Sequence, residues 1–390
     1  MGVDWTVRHA PTSRACRETQ TAFVSARRYF AIFIGTLAIS QGADAQKLVA
    51  TVPAQSFCQA IAFNPVTHKI YTLGEPENEL TEIDGETFKT TVIPLGPTRE
   101  KSLNGAIRVD PIRNRLYGVN VVNSSLAVID LVTHAVKFVP VGTHPGALEI
   151  NTKTNKIYVV NIDSNDVTVV DGVTLKVKTI IVGTYPDSIA INAKTNRIYV
   201  TNSHSNDVSI IEGKNDKVRT IPVGPYPSAL AVNTARNRVY VGNLQGATVT
   251  VIHGRSRHTE TVKVSPYPFC IVVNERTNKI YLNHQALDAI TVIDGRTNAA
   301  KIIGSGIIAR GAPDGLAVDD LRNKIYVGEW TTKITVIDGA TNAASTVANP
   351  GYNTFKIVAN PVANQFYTLN VTTNIYNDTP LSSVGIWAGP

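Results

Sequence analysis

Lys194 to Ile211 reads KTNRIYVTNSHSNDVSII, and 41 residues earlier Lys153 to Val170 reads KTNKIYVVNIDSNDVTVV. The tyrosine of this phrase returns at Tyr71, Tyr117, Tyr158, Tyr199, Tyr240, Tyr281, Tyr326 and Tyr367. Each follows Ile, Leu, Val or Phe directly, with Lys, Arg or Gln two residues before it. The spacings are 46, 41, 41, 41, 41, 45 and 41 residues. A period in the forties that persists from Tyr71 to Tyr367 belongs to propellers and solenoids, whose units bury their apolar faces only against their neighbours.

One unit is legible in the run from Ser188 to Gly224. It holds four short apolar segments, SIAIN, RIYVTN, VSIIE and VRTIPVG, each rich in β-branched residues and bounded by Asn, Asp, Gly or Pro. That is the pattern of strands with turns between them, and no segment is long enough for a helix. The third and fourth segments are joined by Asp-Gly at Asp171-Gly172, Asp294-Gly295 and Asp338-Gly339, a pair suited to tight turns. Four antiparallel strands in about 40 residues make one propeller blade.

Seven units are complete, from AIAFN at Ala60 to STVAN at Ser345, and an eighth begins with KIVAN at Lys356 and QFYTLN at Gln365. The eighth lacks a fourth strand, while LVATV at Leu48–Val52 resembles KTIIV at Lys178 without a blade of its own. The expected fold is therefore all-β: a β-propeller of eight four-stranded blades, its ring closed by the N-terminal strand. Seven blades plus an irregular C-terminal segment is the alternative.

The phrases YVTN at Tyr199, YVVN at Tyr158, YVGN at Tyr240 and the recurring VIDG of Val292 and Val336 resemble the YVTN-type β-propeller repeat of exported bacterial and archaeal surface-layer proteins. The resemblance spans nearly all of the chain after residue 46. It implies a propeller, and it leaves function open, because similar propellers include lactonase-like enzymes, cofactor-dependent dehydrogenase and reductase domains, nucleic-acid binders and adhesion proteins.

Residues 1–45 lie outside the repeat. Arg27 and Arg28 precede the apolar run YFAIFIGTLAI, which is followed by the small-residue sequence Ala43-Asp44-Ala45. Together they read as a signal peptide ending at residue 45, with a single propeller domain over 46–390. The eleven-residue run is too short to span a bilayer, so no membrane span is expected after cleavage. The long stretch before Arg27 also admits a translation start downstream, for instance at Val24, and the paired arginines admit twin-arginine as well as general export. Either route leads to an extracytoplasmic location, in the periplasm, at the cell surface or in the medium.

Beyond the signal the cysteines are Cys58 and Cys270, in the first and sixth units. They read as small apolar residues three blades apart and not as a disulfide. No spacing calls for a metal, a haem or another cofactor. The whole chain carries +7, and removing the five arginines and three acidic residues of 1–45 leaves +5. That excess sits chiefly in the Lys or Arg before each Ile-Tyr pair and reads as a solvated rim; attraction of an anionic polymer is the other reading.

Residues that return in every unit serve the blade, since a catalytic group is needed once and a cap eight times. That reasoning sets aside Asp84, Asp130, Asp171, Asp294 and Asp338, and Asn120, Asn161, Asn202, Asn243 and Asn370. In a blade whose strands run outward from the axis, the loop between blades and the loop between second and third strands open on one face. The first kind reads GTHPG, GTYPD, GPYPS and SPYPF, and places His144, Tyr185, Tyr226 and Tyr267 at equivalent positions before a proline. Aromatics on stiff turns offer a stacking surface for sugars or bases. The repeats also break at His284 and Glu329, which stand where five units have Asn. With Trp330, and with Arg310 and Asp314 of the longer connection between them, they form a second candidate sector. The long connection from Gly96, with Arg99, Glu100 and Lys101, reads as a solvated loop.

Two functions follow. One is a non-catalytic, monomeric binding module for a protein, glycan or nucleic acid. The other is a lactonase-like hydrolase using the His284–Glu329 sector. The near-uniform repeats favour the binding module.

Overall fold

The short β-branched segments, bounded by turn residues, form strands that pair in sequence order, and the computed structural model contains eight four-stranded antiparallel sheets. It describes residues 46–54, 58–74, 79–96, 105–285, 287, 289–304, 315–328, 331–372 and 382–389. All regular structure among them is strand, and none forms a helix long and apolar enough to cross a membrane. In blade 4 the order is Pro186–Asn192, Arg197–Asn202, Asp207–Glu212 and Lys217–Pro222, from the axis outward.

Each innermost strand contacts the innermost strand of the next blade, and that of blade 8, Tyr352–Asn360, contacts that of blade 1, Cys58–Asn64. The ring is thus an eight-bladed propeller, as the sequence predicts. Blade 8 takes its outermost strand from the other end of the chain. Lys47–Pro53 pairs antiparallel with Ser382–Ala388, from Lys47 opposite Ala388 to Pro53 opposite Ser383. The seven-blade alternative is excluded by this sheet.

Blades are held together by three repeated devices. The first is the tyrosine, fully buried or 1% exposed in all eight units. Its ring joins the apolar core of the following blade: Tyr158 packs with Ile189 and Ile198, Tyr199 with Val239 and Ile252, and Tyr367 with Ile61 and Ile70 across the closure. Burial pushes the phenols of Tyr158, Tyr281 and Tyr326 up to about 12, so they stay neutral.

The second device is an amide ladder on the face opposite the interblade loops. The side-chain amide of Asn192, at the end of its strand, donates to Asn237 of the next blade at 2.9 Å. Asn64–Asn114, Asn151–Asn196, Asn233–Asn278 and Asn274–Asn323 repeat it. Two blades carry Asp110 and Asp319 at this position, and there an arginine three residues on takes over the link. Arg113 pairs with Asp110 and donates to Thr152, while Arg322 pairs with Asp319 and donates to Pro361.

The third device corrects the expectation of a solvated cationic rim. Arg115, Arg238 and Lys279 reach into the next blade and donate to the turn carbonyls of Gly172, Gly295 and Gly339, as Arg197 does to Gly254. A charged donor to a fixed carbonyl is a stronger link than a neutral one; Lys69 and Lys324, at the same position, pair instead with Glu82 and Asp338 of their own blades.

The recurrent aspartates cap turns as expected: Asp171 accepts from the amides of Val173 and Thr174, and those bonds hold its carboxyl below the usual range. Cys58 and Cys270 are not disulfide-bonded.

Because Tyr199 is buried between blades, Tyr199→Ala is expected to cost about 3–5 kcal/mol, as for other buried aromatics cut to alanine. Urea unfolding at pH 7 measures it; a loss below 1 kcal/mol would show that the ring does not hold the blades together.

Candidate functional site

A turn that reverses the chain between blades needs one residue with positive φ, which Gly or Asn adopts most easily. At the turn between first and second strands this chain uses Asn: Asn155, Asn196, Asn237 and Asn278 have φ of 52–55°. At the loop between blades it uses His144, Tyr185, Tyr226 and Tyr267, with φ of 57°, 56°, 52° and 56°. An aromatic side chain in this region is strained unless its surroundings hold it there.

The surroundings are specific. The amide of Tyr185 donates to the Asn165 side chain and that of Tyr226 to Asn206, while the carbonyl of Tyr185 accepts from Ser203. Pro186 and Pro227 begin the next strands. Gly183 packs so closely on Asn202 that a Cβ would lie 2.6 Å from that amide. These bonds join the interblade loop to the loop between second and third strands, so both open on one face.

Residues of that second loop, which the sequence reading passed over, complete the surface. His204 stacks on Tyr185 with ring centroids 4.2 Å apart and planes at 18°, and meets Tyr226 of the next blade at 5.9 Å. Three rings thus form a strip across the boundary of blades 4 and 5. One blade back, at the same two positions, His144 pairs its Nδ1 with Asp163 at 3.1 Å. Tyr267, in blade 6, is 52% exposed. The missed residues are 41 apart, Asp163 and His204, at a position where the repeats disagree in chemistry; that disagreement was the signal available.

Asp187 lies beside the strip. It is the bulged residue between Pro186, opposite Asn202, and Ser188, opposite Thr201. Bulges of this kind re-aim a side chain near sites. Part of its surface stays open, yet the surrounding protein suffices to push its carboxyl up to about 6 by burial. Its charge reaches the Tyr226 hydroxyl, which is raised first by burial and next by Asp187.

The second candidate sector is described only in part. Arg310, Asp314, Glu329 and Trp330 lie outside the described residues, as do Arg99, Glu100 and Lys101. His284 is fully buried. Its Nε2 lies 2.7 Å from the Thr291 hydroxyl and its Nδ1 3.0 Å from the Pro266 carbonyl. Asn161, Asn202 and Asn243 make the equivalent bond to Thr168, Ser209 and Thr250. His284 therefore fills the amide position of its blade, and burial lowers its pKa to about 4.

A histidine that stays neutral when folded but titrates near 6.5 when unfolded contributes stability that is present above pH 6.5 and lost as pH falls towards 4. His284→Asn should keep the fold, since Asn bonds the same hydroxyl in three other blades. It should also remove about 2–3 kcal/mol of the stability difference between pH 7 and pH 4.5. Urea unfolding of both proteins at the two pH values measures this; identical pH dependence would contradict the buried, neutral histidine.

No family model and no curated protein matches the chain. Among solved structures 1571 chains match, so the likeness is too widely shared to select a function. One is a chain of the Kuenenia stuttgartiensis hydrazine synthase, with a TM-score of 0.55 and 18% identity over 67% of this chain and 91% of that one. At that identity the likeness is one of fold.

Proposed function

We propose that this protein is an exported, monomeric β-propeller of the YVTN-repeat type whose interblade-loop face is a non-catalytic binding surface for a protein or glycan. The observation that carries this reading is the ring strip Tyr185–His204–Tyr226, raised on strained turns that Asn or Gly would form more easily.

The sign of the charge argues against a nucleic acid as the partner. The loops 142–146, 162–166, 183–187, 203–207, 224–228, 244–248 and 265–269 contain Asp163, Asp166, Asp187 and Asp207 but no Lys or Arg. Four of the cations that precede Ile-Tyr pairs are committed to carbonyls of the neighbouring blade. A phosphate backbone would meet repulsion at these loops, where binding requires neutralisation. The hydrolase reading would need His284 as an acid–base group, and both its ring nitrogens are engaged within the blade. Export rests on the basic, apolar and small-residue sequence from Arg27 to Ala45, which puts the mature N-terminus at Gln46.

The test is a thermal-shift panel of glycans, proteins and oligonucleotides on protein purified from an extracytoplasmic fraction and sequenced from its N-terminus, since a ligand of the native state raises its melting temperature. For a ligand so found, Tyr185→Ala and Tyr226→Ala should each weaken binding by about 1–3 kcal/mol, the range for removing an aromatic platform. Binding that survives both changes would move the site elsewhere.

A further inference from the structure

At the outer rim of the propeller, the last residue of the turn between third and fourth strands stands at positive φ and reaches back to the preceding blade. Three boundaries show the contact. Leu175 joins the apolar cluster of Val128 and Val139 in blade 2. Asp216 accepts from Lys178 of blade 3 at 2.7 Å, and Asn298 donates to Glu260 of blade 5 at 2.5 Å. Each pair is matched in chemistry, apolar with apolar or donor with acceptor.

Between blades 4 and 5 the same two positions hold Arg219 and Arg257. Arg219 stands opposite Ile210, as Lys178 stands opposite Val169 and Glu260 opposite Val251. Arg257 has φ of 62°, beside 59° for Asp216 and 58° for Asn298. Two guanidinium groups supply donors and no acceptor, and neither can shed its proton. Arg219 is exposed and free to turn towards water. Arg257 is half-buried, and its Nε is shielded from solvent without a hydrogen-bond partner among the described residues. The acids of the two turns are engaged elsewhere: Glu212 with Arg197 and Asp216 with Lys178, while Glu260 pairs with His253 and Asn298. Lys214, Lys217 and Arg255 add further positive charge around the pair.

From this mismatch we propose that Arg219 and Arg257 form a site for a phosphate or sulfate group seated between blades 4 and 5. The anion supplies the acceptor that Asp216 and Glu260 supply at the neighbouring boundaries. Planar guanidinium groups suit such oxyanions, because their paired donors meet two oxygens at once. The site lies away from the aromatic loops and does not depend on the role proposed for them.

Equilibrium dialysis of the full protein against labelled inorganic phosphate and sulfate tests it, at pH 7.5 and with ionic strength held constant by chloride. Each ion should bind saturably and compete with the other. Arg219→Gln and Arg257→Asn should each weaken binding by about tenfold or more, the loss expected for hydrogen bonds to a charged group. Asn occupies the turn position in blades 6 and 7 as Asn298 and Asn342, so Arg257→Asn should fold; an unchanged melting transition is the control for both variants. Lys137→Gln removes the same charge from the position equivalent to Arg219 in blade 2 and should change affinity by less than about twofold. Competition by glucose 6-phosphate against glucose 6-sulfate then identifies a phosphate or a sulfate ester as the source, by which of the two displaces the ion at lower concentration.

Absence of saturable binding, or binding that survives either arginine substitution, would overturn the proposal. So would equal weakening by Lys137→Gln, which would show a diffuse positive field in place of a site.

Discussion

The structure depends on one constraint: no blade completes its own core. Each second-strand tyrosine leaves its sheet and packs among the apolar residues of the next blade. A row of such units has two unsatisfied ends, one with a tyrosine lacking a partner and one with an empty face. Bending the row into a ring removes both, since Tyr367 packs beside Ile61, Ile70 and the N-terminal Val52. The strand Lys47–Pro53 makes that closure intramolecular, because blade 8 contains both ends of the chain.

The same constraint divides the chemistry between two faces. The turns between first and second strands hold the blades together through amide pairs and arginine clamps, so their polar groups are already engaged. The opposite loops need only form tight turns, and their side chains are freer to vary. It is there that the chain places a histidine in ring contact with two tyrosines, and a bulged aspartate. Structure and candidate function are separated by face more than by blade.

Period, strand order, blade number and closure were all legible in the sequence, because each is a regularity and the tyrosine repeat sets the register. The turn-capping role of Asp171 and its counterparts was legible for the same reason. What stayed hidden were contacts between residues in different repeats. Arg115, Arg197, Arg238 and Lys279 look solvated in a single unit and become interblade donors only when the next unit stands beside them. His284 stood out as a departure from Asn, yet its imidazole reaches the same threonine that an amide reaches elsewhere. His204 and Asp187 were overlooked because their meaning depends on Tyr185 and Tyr226, which belong to two blades. The loop position of Tyr185, by contrast, followed directly from its GTYPD turn.

The ring, and not any blade, is the folding unit. Hydrogen exchange on protein lacking Lys47–Pro53 tests it most directly. Loss of the closing strand should remove amide protection from Val384 and Ile386 and spread to blades 1 and 7, whose cores share Tyr367 and Phe366 with blade 8. Loss of protection confined to Ser382–Ala388, with Ile61, Ile70 and Tyr326 protected as before, would show that blades stand on their own and would contradict the claim.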